Sequence, residues 1–449
     1  MDGRAGLIMA VVTGALVSAP GCGDDAAQRP PWVSGDRLRA AVVDGGDGAV
    51  AFRGWHDREL GAACAFATAA DGVLRCLPTD TAFLVFRDAA CTERAAVSFA
   101  GPDCPGPAYA AAPSALGCPD DPRPLYPLGA ALGDGLVYFD RDGTCEPFVS
   151  APLYAVGPAV EPSRFVAARV RTDDHGDGLA ARVAIADDGA QQVLSLADAT
   201  GASCGRLELS DGASVCVGTV AYPAPQLHAD DACTAPAPAV THRCQPAPDV
   251  VLDVGGVALA AGALPGPLYV AANDACAIDD TYTAWLPGRL ATAADFPAAP
   301  TITTGAGALQ LRWASDAAGA PLISEAFVDV ARGTTCYAAR LDGDAGRCLP
   351  PTMTWSSPAT SFADAACTVP AWALYRDHGP STLIGVTSAG ACGAVRVDHL
   401  YLVTPHVGPS YAMSGAGCVL VPDAPTDHVY AATADLPRTD FPALTFRVE

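Results

Sequence analysis

Residues 61–92 read GAACAFATAADGVLRCLPTDTAFLVFRDAACT, and this stretch decides the fold because the chain contains it three times. Residues 333–368, GTTCYAARLDGDAGRCLPPTMTWSSPATSFADAACT, follow it closely, and residues 201–234, GASCGRLELSDGASVCVGTVAYPAPQLHADDACT, form the most divergent copy. The copies recur with a period of about 130 residues, and such self-similarity is the signature of a repeat architecture. We therefore expect three repeats, at residues 35–170, 171–303 and 304–449.

Each copy begins with a pattern that predicts a disulfide-closed β-hairpin. Cys64 and Cys76 flank a turn that contains Asp71 and Gly72, so folding the hairpin brings the two cysteines nearly opposite each other. Nearby segments such as 309–313 (LQLRW) alternate apolar and polar residues at the period of a strand. The same spacing predicts bridges in the other two copies, from Cys204 to Cys216 and from Cys336 to Cys348.

The composition favours turns and strands over helices. The chain of 449 residues has 45 Gly and 39 Pro, and its 49 acidic residues are almost all Asp. Asp, Gly and Pro form turns, whereas Glu, which covers surface helices, is scarce and Lys is absent. We therefore predict an all-β fold. The absence of Lys excludes Schiff-base and Walker-type phosphate chemistry, and the net charge of -23 argues against nucleic acid as a partner.

The number of strands predicts a propeller. Each repeat provides about eight short strands, enough for two four-stranded sheets. Three repeats would then form a closed six-bladed β-propeller, which leaves only short, protected sheet edges. The alternative is three small β domains in tandem, because about 65 residues per blade exceeds the usual propeller period. No long spacer rich in Gly, Ser or Pro separates the repeats, which favours the closed arrangement.

The N-terminus predicts export and a lipid anchor. Residues 1–21 combine Arg4 with an apolar run that is too short to span a bilayer, a pattern typical of a secretion signal. Cys22 follows Gly and precedes a polar stretch, which is similar to the cleavage site of a bacterial lipoprotein with Cys22 acylated. Residues 22–34 would then tether the protein to the membrane of the bacterial cell envelope, at the outer membrane or cell surface. The alternative is an ordinary secretory signal that is cut after Ala19.

The cysteine count is consistent with this anchor, since removing Cys22 from the 17 cysteines leaves an even number. Their density in an exported chain indicates disulfides rather than zinc ligands. Beyond the hairpin bridges, the spacing within the first repeat and its alignment with the others predict four pairs: Cys91 with Cys104, Cys118 with Cys145, Cys244 with Cys276, and Cys392 with Cys418. Cys233 and Cys367 stay unassigned, and either bridge two repeats or are free thiols.

Several of these features together resemble a known group of proteins. The cysteine after the signal, the hairpin at 64–78, the turn at 88–92 and the closing segment at 154–165 resemble a family of uncharacterised bacterial surface lipoproteins with tandem disulfide-rich β repeats. The resemblance covers nearly the whole mature chain. It implies secretion, lipidation and an all-β fold, and it transfers no activity and no functional residues.

The sequence predicts no catalytic residue, metal site or cofactor. Ser203 lies in a G-x-S-x-G pattern, but it takes the repeat position of Ala63 and Thr335, with no helical segment after it. His399 and His406 lack metal-ligand spacing, and a pair of Cys367 with His378 lacks an orienting third group. Acidic turns could bind calcium, although none completes the ligand series of a calcium loop, and ordinary hairpin turns explain them. These turns contain Asp44 and Asp47, Asp140 and Asp142, Asp173, Asp174 and Asp177, and Asp342 and Asp344.

Two functions stay open. The repeats agree best at Cys, Gly, Pro and aromatic positions, which set backbone and packing. We therefore expect a non-enzymatic, lipid-anchored surface protein whose loops bind a partner protein or polysaccharide. The alternative is an extracellular hydrolase that acts on a glycan or ester at one propeller face. A cluster of acidic residues confined to one repeat would favour the enzyme, because catalytic groups need not be triplicated, and the sequence contains no such cluster.

Overall fold

The structure is a computed structural model that describes residues 30–98, 107–111, 122–141, 144–224, 226–253, 256–272, 275–279, 281–342, 345–351, 353–356, 359, 361–374, 383–389, 395–414, 417–421 and 428–449. The predicted signal, Cys22 and most of the predicted tether lie outside the described residues. The same holds for Cys104, Cys118, Asp142, Asp344, His378 and Cys392.

The N-terminal segment contributes the strand β1 (Trp32–Val33). The described part of the first repeat contributes β2 (Leu38–Asp44), β3 (Val50–Asp57), β4 (Ala62–Thr68), β5 (Leu74–Pro78), β6 (Thr81–Phe86), β7 (Arg94–Val97), β8 (Tyr109–Ala111), β9 (Leu125–Arg141) and β10 (Thr144–Val156). A single-turn 3-10 helix, Pro162–Arg164, leads into the second repeat.

The second repeat contributes β11 (Ala168–Asp174), β12 (Leu179–Ala186), β13 (Gln191–Asp198), β14 (Ser203–Glu208), β15 (Ser214–Val217), β16 (Val220–Ala221), β17 (Leu227–His228), β18 (Val240–His242), β19 (Val250–Asp253), β20 (Gly256–Ala263), β21 (Leu268–Ala272), β22 (Ala275–Asp279) and β23 (Tyr282–Leu290). The 3-10 helix Ala293–Asp295 follows at the equivalent place.

The third repeat contributes β24 (Thr301–Thr304), β25 (Leu309–Ser315), β26 (Pro321–Asp329), β27 (Thr334–Asp342), β28 (Ala345–Leu349), β29 (Met353–Ser356), β30 (Ser361–Phe362), β31 (Pro370–Leu374), β32 (Leu383–Ala389), β33 (Val395–Pro405), β34 (Ser410–Ser414), β35 (Gly417–Val421), β36 (His428–Asp435) and β37 (Ala443–Val448). The 3-10 helix Arg438–Asp440 precedes the last strand.

The chain closes on itself through this last strand. β37 pairs antiparallel with β2, where Val448 lies opposite Ala41, and with β28, where Thr445 lies opposite Ala345. In the second and third repeats, the place beside the equivalent of β2 is taken by β11 and β24. The C-terminal strand therefore completes the first sheet of the first repeat, and this closure covers a sheet edge that would otherwise be open.

We call the strands β2–β5, β11–β15, β24–β28 and β37 the inner strands, because all of them except β14 and β15 supply side chains to one core. Isolated bridges continue their circle, from Arg75 to Ala167 and from Val215 to Ala298. All three repeats supply buried side chains to this core, among them Leu38, Trp55, Ala184, Leu309 and Trp313. A shared core contradicts three separate domains in tandem. The predicted all-β class is confirmed, and the small sheets are arranged in the manner of propeller blades.

The sheets differ in size from the equal four-stranded sheets that the sequence predicts. Because β37 joins two sets of inner strands, β24–β28 and β2–β5 belong to one ten-stranded sheet. The remaining, outer strands form a closed barrel in the first repeat, with the order β10-β7-β6-β8-β9. They form a five-stranded and a three-stranded sheet in the second repeat, and an eight-stranded sheet in the third.

The three hairpin bridges that the sequence predicts are present in the structure. Cys64 is bonded to Cys76, and the equivalent cysteines of the other two repeats pair in the same way, Cys204 with Cys216 and Cys336 with Cys348. Each bridge lies on the inner strands and is buried in the cores there.

A second bridge in each repeat starts from a shared turn. Asp88 accepts hydrogen bonds from the backbone N–H of Glu93 (2.7 Å) and Thr92 (3.0 Å), and from the Thr92 hydroxyl (2.7 Å). These bonds lower the pKa of the Asp88 carboxyl. The turn holds Cys91 in the left-handed backbone region, with φ of 52°, and the same value recurs at Cys233 and Cys367.

The partners of these turn cysteines correct the predicted pairing. Cys91 is bonded to Cys145, Cys233 to Cys276, and Cys367 to Cys418. Cys233 and Cys367 therefore neither bridge two repeats nor remain free. The turn faces a hairpin strand that lies 54, 43 or 51 residues later in the chain, so each cysteine meets a distant partner instead of a near one. The predicted pairs Cys91–Cys104, Cys118–Cys145, Cys244–Cys276 and Cys392–Cys418 are wrong.

Candidate functional site

A β-bulge recurs at one place in the inner strands of every repeat. In the third repeat Arg312 pairs with Ala326 and Trp313 with Ser324, which leaves Glu325 as the extra residue. The same shift makes Leu194 the extra residue in the second repeat and Arg53 in the first. A bulge re-aims the side chain of its extra residue. The bulge is thus present in all three repeats, while the side chain of its extra residue differs in each.

Glu325 lines a cleft between the second and third repeats. The cleft has a volume of about 360 Å³, room for about a dozen water molecules at about 30 Å³ each. Its apolar wall contains Leu196, Ala314 and Ile323, which belong to a core shared by these two repeats. The polar lining comes from Arg206 on β14, Arg312 on β25, and Ser324 and Glu325 on β26.

We call Arg206, Arg312 and Glu325 the charged triplet. Arg206 Nε donates a hydrogen bond to Glu325 Oε1, and Arg312 Nε lies 2.9 Å from Glu325 Oε2. The side chains of Arg206 and Glu325 are only 13% and 15% exposed. The contact with Arg312 does not have hydrogen-bond geometry, so Arg312 Nε and Glu325 Oε2 are buried without a hydrogen bond. The triplet carries a single net positive charge in a protein whose net charge is -23.

The other two junctions between repeats differ in these positions. Phe66 lies two residues after the hairpin cysteine, as Arg206 does, and both Phe66 and Leu194 pack against the shared core of the inner strands. At the junction of repeats one and two, the positions equivalent to Arg206 and Glu325 are therefore both apolar. At the junction of repeats three and one, Ala338 packs against the same core, and Arg53 is exposed. The charged triplet is present at one of the three junctions.

The position of Arg312 also has equivalents in the other repeats. Ala41 takes this position in the first repeat and Arg182 in the second, as the residue that precedes the bulge. Arg182 Nη1 donates a hydrogen bond to Ser203 Oγ, at 2.6 Å, and does not line the cleft. Arg182 is thus a natural control for Arg312.

The N-terminal strand enters the centre of the inner strands. Trp32 pairs with Gln192 of β13 and stacks on Trp313, with ring centroids 6.2 Å apart. Phe52 of the first repeat lies 5.6 Å from the Trp32 ring. One aromatic residue of the N-terminal segment thus contacts the side chains of two repeats and pairs with a strand of the third.

Ser203, His399 and His406 do not line this cleft, whereas the predicted disulfide residue Cys204 does. Ser203 is the first residue of β14, and its hydroxyl contacts Arg182 and Ser195. It is followed by a strand, not by the helix that the G-x-S-x-G motif of a hydrolase requires. His399 Nδ1 lies 2.8 Å from Asp435 Oδ2 and its ring stacks on Tyr401. His406 Nε2 contacts a backbone carbonyl.

The acidic turns use their carboxylates for backbone hydrogen bonds. Asp44 Oδ1 accepts the N–H of Gly46, and Asp174 Oδ1 accepts that of Gly176, both at 2.8 Å. Over the part of the chain that the structure describes, no group of three or more acidic, His or Cys side chains is arranged to hold a metal ion. Among the same residues, no helix has the length and apolar character needed to cross a membrane.

The sequence does not predict the charged triplet, because its members lie on three strands and Arg206 is 119 residues from Glu325. A signal for it does exist in the sequence. Glu325 is one of very few glutamates, and the repeat alignment places it opposite Leu194 and Arg53. A rare residue type at a position where the three repeats differ is the signal that could have identified Glu325.

Comparison with known proteins adds a family. Residues 15–286 match the model of DUF7481, a family of unknown function. The chain belongs to this family. The expected resemblance to an uncharacterised family thus holds in this form. No curated protein and no solved structure matches the chain.

Proposed function

We propose that this DUF7481 protein is a non-catalytic binding protein that is exported, held on the bacterial cell envelope by a lipid on Cys22, and binds its ligand in the cleft between repeats two and three. The observation that carries the proposal is the charged triplet at one junction out of three. Groups that serve the scaffold, such as the hairpin cysteines and the Asp-Thr turns, are triplicated. A cluster that is present once is not required by the repeated scaffold, and this supports a role in binding.

The chemistry of the cleft favours binding over hydrolysis. Glu325 is the one carboxylate among the lining residues, and an arginine lies on each side of it. Most glycoside hydrolases use two carboxyl groups, one of which must be protonated to act as an acid. Ser324 has no histidine beside it among the lining residues, so the cleft lacks the pair that activates a serine nucleophile.

The disulfides support the proposed location. The described residues contain six bridges with both partners in view, and bridges of this number form and persist in oxidising compartments. The pattern at residues 1–22 supports export with an acylated cysteine, and acylation with two or three chains gives stable membrane attachment. Membrane and ligand are then the two partners of the protein.

Fractionation of cells that express Cys22→Ala tests the anchor. We expect the wild type in the membrane fraction and the variant in the soluble fraction, and a variant that stays equally membrane-bound contradicts lipidation. A panel of glycan, ester and peptide substrates tests the absence of catalysis. Turnover that one Asp or Glu substitution abolishes, with the fold intact, would support the hydrolase instead.

A further inference from the structure

We propose that the cleft at the charged triplet binds a sugar acid, a pyranose that carries one carboxylate. This ligand class rests on the proposed function, because it takes the cleft as the binding site. Three properties of the lining support the inference: guanidinium groups with hydrogen-bond donors that are unpaired among the described residues, apolar residues on one side, and a single net positive charge.

The guanidinium donors point to a carboxylate. Arg206 uses Nε for Glu325 and Nη1 for Ser214 Oγ, at 3.1 Å, which leaves Nη2 without a hydrogen-bond partner among the described residues. Arg312 has Nη1 and Nη2 in the same state, and its side chain is 32% exposed. The planar fork of arginine matches the two oxygens of a carboxylate, and such charge-assisted bonds are among the strongest in proteins.

The rest of the lining points to a sugar ring. Ile323 is half-buried and backed by the buried side chains of Leu196 and Ala314, so it is the apolar residue against which the C–H face of a pyranose can pack. Ser324 is a hydroxyl neighbour on the polar side. The volume of about 360 Å³ lies at the small end of the range for ligand pockets, which suits a single ring better than a folded polymer.

The charge distribution favours a monoanion. Glu325 neutralises one of the two arginines, so a single ligand carboxylate neutralises the other. The second negative charge of a dianion such as phosphate would be repelled by Glu325. The net charge of -23 repels polyanions at long range, although salt screens charges beyond about 8 Å. A small ligand with one carboxylate therefore fits both the triplet and its surroundings.

The test is isothermal titration calorimetry on the full mature chain in detergent. Glucuronate and galacturonate are the probes, with glucose and acetate as the neutral and ring-free counterparts. We expect at least one uronate to bind about 10-fold or more tightly than either counterpart. Arg312→Ala should weaken uronate binding by about 10-fold to 100-fold, and the matched control Arg182→Ala should leave it unchanged. Binding of neither uronate, or an equal loss in both variants, overturns the ligand class.

A second variant keeps the test decisive if Arg312→Ala folds poorly. Arg206→Phe combined with Glu325→Leu copies the apolar pair Phe66 and Leu194 from the junction of repeats one and two, so we expect it to fold. Uronate binding should vanish in this double variant. If it persists there, the binding site lies elsewhere and the proposed role of the cleft fails too. If glucose binds as well as a uronate and the double variant abolishes both, the ligand class is wrong while the cleft remains the binding site.

Discussion

The bridge between Cys91 and Cys145 gives a quantitative test of the corrected disulfide pattern. Its cysteines are 54 residues apart, and chain-entropy arguments give about 4 kcal/mol for cross-linking a loop of this size. Both cysteines belong to one bridge. We therefore expect the same loss of about 4 kcal/mol in the free energy of unfolding for Cys91→Ala, for Cys145→Ala and for the double variant. The double variant should therefore cost no more than either single variant.

The pairing predicted from the sequence makes a different forecast. If Cys91 were bonded to Cys104 and Cys145 to Cys118, the two single substitutions would break two separate bridges. Their costs would then add to about 6 kcal/mol in the double variant. The assay is native-state hydrogen exchange, which reports the free energy of opening for the amides of β6, β7 and β10. Additive costs would refute the structural pairing, and non-reducing peptide mapping provides the control.

Four further predictions follow from the inner strands and the turns. Asp57 is fully buried and accepts three hydrogen bonds from Nε and Nη2 of Arg37, so Asp57→Ala should cost about 3–5 kcal/mol in denaturant unfolding. The Thr368 hydroxyl lowers the pKa of Asp364, so this turn stabilises the fold above the unfolded pKa near 3.8 and loses that contribution as the pH falls through the lower folded value. Hydrogen exchange at the turn between about pH 6 and about pH 2 should detect this loss, and Asp364→Asn should remove the pH dependence. Leu444 lies on the closing strand and is 3% exposed. Leu444→Ala should lower the free energy of unfolding by about 2–5 kcal/mol, as measured by thermal unfolding. Small-angle scattering of the mature chain should give a radius of gyration of about 22 Å, and a value of about 35 Å would contradict a closed body.

The repeat made much of the fold predictable. The cysteines at 64 and 76 sit across a hairpin, and local spacing is enough to pair them because the turn between them dictates the register. The second bridges were not predictable in this way. Cys91 meets Cys145 through the packing of β6–β10 into a barrel, and nothing local to either cysteine indicates that encounter.

The candidate site lies further from the reach of sequence reasoning. Arg206 and Arg312 come from different repeats, and only the packing of two repeats places them around one carboxylate. Glu325 itself owes its orientation to a bulge, which appears in the register of the strands and has no residue signature in the sequence. The unequal sheets have a similar origin, since the partner of β2 is the far end of the chain.

The sequence by itself determined the all-β class and the hairpin bridges, because each depends on residue types and spacing over a few residues. Only the tertiary structure decided which distant cysteines pair, how the last strand closes the inner sheets, and which junction holds Arg206, Arg312 and Glu325 together. The physical reason is the same in each case. Contacts between residues far apart in the chain depend on how whole sheets pack, and strand periodicity specifies the faces of a sheet without specifying its neighbours.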